Sequence, residues 1–347
     1  MKKRLVYIDI LKIIAIFLVL YNHTMGFIQF TTTNIYSKRI WIYIYASIIT
    51  KINVPIFMMA SGALLLKKDM SIKTVLKKTA KFFIVFLVCS IILFLLKNNG
   101  KFILSNFLKS FMNCEIEPSY WYMYAYIGFL LFVPYIKKIV SGLKTTDFLY
   151  ISIFYCIIHT LIPTINYLIG EKFLIVLPKY MNFPLITAQI YFYAIIGYYL
   201  AHVMDIKKIS TKKVWLMIVI PSLLFAIIPT YFTYKKGIIS GFGQQYFEYS
   251  NYFIAVAIFI LIRKLFEDIN VERKSSKIVS TIGTLIFGIY LFEPILKNIL
   301  YKYIFNIASY ATKSIIIISV FWCIFAMIIC GLITFSLKKL PIVKKVL

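Results

Sequence analysis

YIDILKIIAIFLVLYNHT, Tyr7 to Thr24, has the length and apolar character of a membrane-crossing helix, which takes about 20 residues. It nevertheless carries Asp9, Lys12 and His23. An Asp or Lys at the centre of a span costs about 2.5–3.5 kcal/mol on insertion scales, so such residues need a reason to be there. Helix geometry supplies part of one. From Lys12 to His23 the side chains turn through about 20° net at 100° per residue, and they stand about 16 Å apart along the axis. Asp9 precedes Lys12 by one turn and can pair with it on the same face. A polar stripe of this length has to face the bundle interior or a wet cavity. Two readings follow. In one, Asp9 and Lys12 form an ion pair that only holds helices together, and His23 is an interfacial residue. In the other, the stripe is a path for chemistry, with Asn22 or Thr24 orienting the His23 ring.

The remainder of the chain fits a membrane setting. Of its 347 residues, 61% are hydrophobic and 18% aromatic, and mean hydropathy is +0.87. A soluble domain cannot hide that much apolar surface. The net charge of +27 would suggest nucleic acid in a soluble protein. In a membrane protein it is explained by Lys and Arg in cytoplasmic loops facing anionic lipid. Five cysteines show neither a CxxC pair nor a Cys/His spacing, so neither a zinc site nor a disulfide framework is expected. MKKRLVY before the apolar run superficially resembles a signal peptide. The charges within the run, and the lack of a small-residue cleavage site, make it a retained first span.

Hydropathy predicts an all-α, polytopic helix bundle of about ten transmembrane helices, a single domain over 1–347. They centre on residues 6–26, 42–66, 80–96, 120–138, 148–168, 184–203, 213–233, 250–266, 280–300 and 314–337. Pro55 should bend the second and Pro163 interrupt the fifth. Lys and Arg alternate in density between these spans. One set of connections, which includes both termini, holds 25 and the other holds 12. The bias predicts cytoplasmic N- and C-termini. GIISGFGQQYF (Gly237–Phe247) is glycine-rich but has no phosphate-loop spacing, and is expected to be an outer loop.

Four stretches, in order, resemble the acyltransferase 3 family, multipass acyltransferases that decorate bacterial surface glycans. Lys12 and His23 match its basic residue–ten residues–His motif in the Lys form. VPIFMMASGALLLKK (Val54–Lys68) is similar to its Pro-x-Phe…Ser-Gly segment. SYWYMYAYIGFLLFVPYI (Ser119–Ile136) is similar to its Trp-Tyr-x-Tyr…Pro span, and GIYLFEPIL (Gly288–Leu296) to its Gly-Ile-Tyr-Leu-x-His-Pro segment. The resemblance covers nearly the whole chain. It departs at Ser119 and Glu293, where many relatives have His, so roles built on those histidines do not carry over. Glu293 can act as a base, orient His23, or be structural.

The resemblance implies ten core helices, an acyl-CoA donor (most often acetyl-CoA) and an extracytoplasmic glycan hydroxyl as acceptor. It implies that His23 is the general base, for which an ordinary imidazole pKa near 6.5 is suited. Acyl-enzyme formation on His23 is the alternative route. Lys12, with Asp9 and Arg4, is expected to serve the donor. Lys67 and Lys68 are explained equally by charge bias or by CoA phosphates. Trp121 and Tyr124, with Tyr122, are either interfacial belt residues or a platform for sugar rings. Asn22 and Tyr124 are candidates for stabilising an oxyanion. Glu115 and Glu117, in the outer connection just before span four, are read as a solvated loop or else as a substrate contact. Ser61-Gly62 is read as close helix packing, and His159 and His202 as structural. No metal is expected. The expected partners are acyl-CoA, a glycan or glycolipid, and anionic lipids in the plasma membrane. A transporter or flippase of a glycan precursor also carries intramembrane charge, but the chain lacks repeat halves with matching broken spans. A non-catalytic sensor or anchor is the third possibility.

Overall fold

The computed structural model describes residues 4–24, 40–169, 175, 189–237, 251–269, 273–309 and 315–339. These residues are overwhelmingly helical, and no strand occurs among them. The helices in chain order are α1 (Val6–His23), α2 (Ile40–Thr50), α3 (Asn53–Leu65), α4 (Ile72–Lys97), α5 (Leu104–Met112), α6 (Trp121–Ser141), α7 (Thr145–Cys156), α8 (Ile162–Ile169), α9 (Gln189–His202), α10 (Thr211–Lys236), α11 (Asn251–Phe266), α12 (Lys274–Ser309) and α13 (Ile315–Leu337).

Eight helical stretches among the described residues are long and apolar enough to cross a bilayer. The hydropathy reading expected about ten. The two that fall short are α9 and α11, described over 14 and 16 residues at the sixth and eighth expected positions. The residues just before each of them lie outside the described part, as does GIISGFGQQYF after Gly237.

The second expected span is interrupted, three residues before the proline. Lys51 and Ile52 form a turn between α2 and α3, with backbone bonds Lys51 N–H to Ile48 O (3.1 Å) and Ile52 N–H to Ile49 O (3.3 Å). Pro55 sits in the first turn of α3, where its missing N–H costs no helical bond. The fifth span is also irregular. A π turn over Ile157–Leu161 separates α7 from α8, and Pro163 lies in the first turn of α8.

The chain gathers into two compact units. One comprises Met1–Lys68 and Tyr135–Lys277, the other Asp69–Pro134 and Ile278–Leu347. In the first, α1 packs on α3 and α11, and α3 packs closely on α9. Glycines permit that approach. A Cβ at Gly62 would overlap the backbone of Ala194, and one at Gly197 would overlap the backbone of Met59. The Ser61-Gly62 packing expectation therefore has a partner, Ala194, and a reciprocal glycine on α9. In the second unit, Gly288 on α12 lies against the Thr334 side chain of α13.

Candidate functional site

The first unit carries the polar stripe of α1. Asp9 is 4% exposed. Its carboxylate accepts from Arg4 Nε at 2.7 Å and pairs with Lys12 Nζ at 2.8 Å. The expected Asp9–Lys12 pair thus exists, and Arg4 completes a cation–anion–cation chain. A buried carboxylate with two cationic partners is a compensated charge, which is what makes it tolerable away from water. Arg4 also lines a cavity of about 420 Å³ at this end of α1, together with Lys207, Arg263, Asp205, Glu267 and Asp268. Arg263 is 8% exposed. Its guanidinium donates to Glu267 through Nε (3.0 Å) and Nη2 (2.7 Å), and to the carbonyls of Leu200 and Met204 at the C-terminal end of α9. It therefore caps one helix from another.

At the far end of α1, His23 is half-buried in the last helical turn. Thr24 closes that turn. Its N–H bonds to the carbonyls of Leu20 (3.1 Å) and Tyr21 (3.2 Å), and its hydroxyl donates to Tyr21 O (2.7 Å). Beside His23, Asn22 Oδ1 accepts from Lys51 Nζ at 3.2 Å. Both partners are 8% exposed. Lys51 lies within the second expected span, 42–66. The turn that breaks α2 from α3 at Lys51–Ile52 lies where Pro55 acts on the carbonyl four residues back, in line with the bend expected in this span.

His202 Nε2 lies 2.7 Å from the Ala63 carbonyl. His159, in the π turn, sits 2.9 Å from Gln189 Nε2 and against the Tyr155 ring. Both histidines have packing and hydrogen-bond partners within the first unit, in keeping with a structural reading.

Trp121, Tyr124 and Glu293 belong to the second unit. Glu293 is fully buried on α12, and Oε1 accepts from Trp322 Nε1 at 3.4 Å. Pro294 follows it inside the helix, where the missing N–H leaves a break in the backbone ladder. Tyr120 donates its hydroxyl to the Leu291 carbonyl at 2.8 Å, and Tyr290 donates to the Ser119 carbonyl. The two motif segments SYWYMY and GIYLFEP, 171 residues apart, are thus clamped to one another by a reciprocal pair of tyrosines. Tyr122 adds an edge-to-face contact with Tyr290. Tyr124 stacks edge-on against Phe86, and its hydroxyl donates to the Phe111 carbonyl, which braces α5. Trp121 is half-buried against Tyr122.

Just before α6, Glu117 does more than sit in a solvated connection. Lys97 donates to Glu117 Oε2 (3.0 Å) and to the Ile116 carbonyl (2.6 Å), and Ser119 donates its hydroxyl to Glu117 Oε1 (2.9 Å). Burial works to raise the Glu117 pKa. The charge of Lys97, its hydrogen bond, the Ser119 bond and the Lys297 charge outweigh it and hold the carboxyl below its usual range. Among the described residues no cluster of His, Cys, Asp and Glu is arranged to hold a metal.

A family model described as an acyltransferase domain matches residues 5–337, nearly the whole chain and all four motif segments. The chain belongs to the acyltransferase 3 family. Together with its apolar helices, that membership makes it a multipass membrane acyltransferase. No curated protein and no solved structure matches it.

Proposed function

We propose that the protein moves an acyl group, acetyl by first choice, from cytoplasmic acyl-CoA to a hydroxyl of an extracytoplasmic glycan or glycolipid. The observation that carries this reading is the α1 stripe in a chain of this family. A compensated Arg4–Asp9–Lys12 chain stands at one end and His23 about 20° round the same helix at the other. Positive-inside bias puts the Arg4 end in the cytoplasm, where acyl-CoA is made. The slender pantetheine arm then follows the stripe past Lys12 towards His23.

In the transfer step His23 accepts the proton of the acceptor hydroxyl as its oxygen bonds to the thioester carbon. The tetrahedral intermediate collapses, the carbon–sulfur bond breaks, and the CoA thiolate takes the proton back from the imidazolium. Asn22, hydrogen-bonded to Lys51 next to His23, supplies an amide donor and a nearby positive charge for the oxyanion. Glu293 is proposed to orient or assist the base. Trp121 and Tyr124 are proposed to flank the acceptor side, in a plasma-membrane protein whose basic loops face anionic lipid.

The test is incubation of the purified full-length protein with acetyl-CoA radiolabelled in the acetyl group, together with mass spectrometry of surface polysaccharide from cells with and without the gene. Turnover of the label and loss of an acetyl increment from the polysaccharide are expected. Absence of both favours a transporter or a non-catalytic module.

A further inference from the structure

The segment between α4 and α6 in the second unit makes a second polar site. α4 ends in a left-handed turn, with Asn99 at φ 51° and Gly100 at φ 80°, and the Gly100 N–H bonds back to Leu95 O at 2.8 Å. This Schellman-type stop reverses the chain. Helix α5 then runs back along α4. Phe107 packs on Phe94 (ring centroids 5.4 Å apart), and Phe111 packs on Phe86 (5.2 Å). Phe94 and Phe86 are separated by about 12 Å of α4 rise, so α5 lies alongside the span and not beyond its end.

The nine residues of α5 divide into three sectors. Phe107 and Phe111 are buried against α4. Leu104, Leu108 and Met112, within about 80° of arc, are 60%, 50% and 76% exposed. They continue the exposed apolar stripe Ile84, Val88, Ile92 and Leu96 of α4, which is a lipid-facing surface in a membrane protein. The third sector holds Asn106, Lys109 and Ser110. These line a cavity of about 360 Å³ with Lys97, Asn98 and Glu115. That volume falls in the usual range for ligand pockets, roughly 300–1,000 Å³.

The lining chemistry narrows the ligand. Lys97 is neutralised by Glu117, and Lys109 shares the cavity with Glu115. The charges balance, which disfavours a phosphate and suits a neutral ligand. Amides, a hydroxyl, ammonium groups and a carboxylate together offer the mixed donors and acceptors that vicinal hydroxyls satisfy. The same short helix presents this polar face and a lipid face less than one helix turn apart. A ligand seated here has a polar head in the cavity and a tail in the bilayer.

We propose that the cavity between the end of α4 and α5 binds the sugar of a lipid-anchored, uncharged glycan that enters sideways from the bilayer. This is the acceptor subsite of the acyl transfer proposed above, and it rests on that reading for its role in catalysis. Binding itself is testable without turnover. Full-length protein in phosphatidylcholine nanodiscs is titrated with a dialkylglycerol diglucoside carrying a fluorophore on its tail, with no acyl-CoA present. Saturable binding is expected. Asn106→Trp, which fills the cavity, and Lys109→Glu, which unbalances it, should each weaken binding about tenfold or more. Ser105→Trp, on the edge of the lipid sector and outside the cavity lining, should bind like wild type. All three positions are exposed, and unchanged melting temperatures will confirm folding. Free maltose should compete far more weakly than the lipid form. No saturable binding by wild type, or equal binding by Asn106→Trp and Lys109→Glu, overturns the proposal. Wild-type turnover of acetyl-CoA is measured in parallel. If it is absent while binding remains sensitive to Asn106→Trp, only the acyl-transfer reading fails.

Discussion

Replacing Asp9 by Asn tests whether the charge chain on α1 is a working arrangement. The carboxylate is 4% exposed and holds Arg4 at 2.7 Å and Lys12 at 2.8 Å. The two contacts differ in worth. The Arg4 side chain is 41% exposed, so solvent screens it and its pair belongs on the surface scale, about 0.2–1 kcal/mol. The Lys12 side chain is 21% exposed, and its contact is nearer a hydrogen bond to a charged group, about 1.5–3 kcal/mol. Asparagine keeps one acceptor oxygen and loses the charge, so the net loss should be about 2 kcal/mol, most of it from the weakened Lys12 contact. Thermal melting in detergent of Asp9→Asn, Lys12→Met and the double variant forms a cycle. The double variant should cost less than the sum of the singles by about 1 kcal/mol or more, because each single already loses the same Asp9–Lys12 contact. Acetyl-CoA affinity should fall in both single variants. A fully additive cycle, with Asp9→Asn melting like wild type, would refute the assignment.

Three further outcomes follow from other parts of the chain. Glu117 has a folded pKa below its ordinary value near 4.3, so its contribution is present above that value and is lost as pH falls through the folded pKa. Melting temperature measured from pH 7 to pH 3 should therefore drop on the acid side, and Glu117→Gln should flatten that limb. An unchanged acid limb in Glu117→Gln would count against the Lys97–Glu117 tie. Tyr120→Phe removes the bond to the Leu291 carbonyl and should cost about 0.5–1.5 kcal/mol in melting experiments, whereas a neutral result would deny the clamp between the two motif segments. For topology, Cys114 is the one cysteine outside the spans and is first replaced by Ser. A cysteine at Ser71 should then label only from the cytoplasm and one at Asn106 only from outside. The reverse pattern would invert the orientation.

The α1 stripe was legible because a helix has one period and three charges at fixed spacings can share only one face. The four motif segments were legible as patterns. Their physical link was not, since Tyr120 and Leu291 meet through tertiary packing across 171 residues. The break at Lys51–Ile52 follows from Pro55, whose missing N–H and ring act on the Lys51 carbonyl four residues back, whereas the Lys51–Asn22 contact across 29 residues is tertiary and was not legible. The site formed by α5 was overlooked for a different reason. A nine-residue amphipathic helix between two spans reads as a loop in any window long enough to detect a span. In the sequence Arg263 is one of the basic residues at the end of the eighth expected span. In the structure it is buried at the end of α11, where helix carbonyls of α9 and Glu267 compensate it.

The central claim is that His23 takes the acceptor proton. The most direct measurement is the rate of acetyl transfer from acetyl-CoA by His23→Gln, in protein shown by melting and donor binding to be folded and loaded. Glutamine retains hydrogen bonding but cannot accept a proton at working pH. The account predicts a fall of about 10²–10⁴ in rate with donor affinity nearly unchanged. Transfer by His23→Gln at the wild-type rate would contradict it and leave His23 as an interfacial residue at the end of α1.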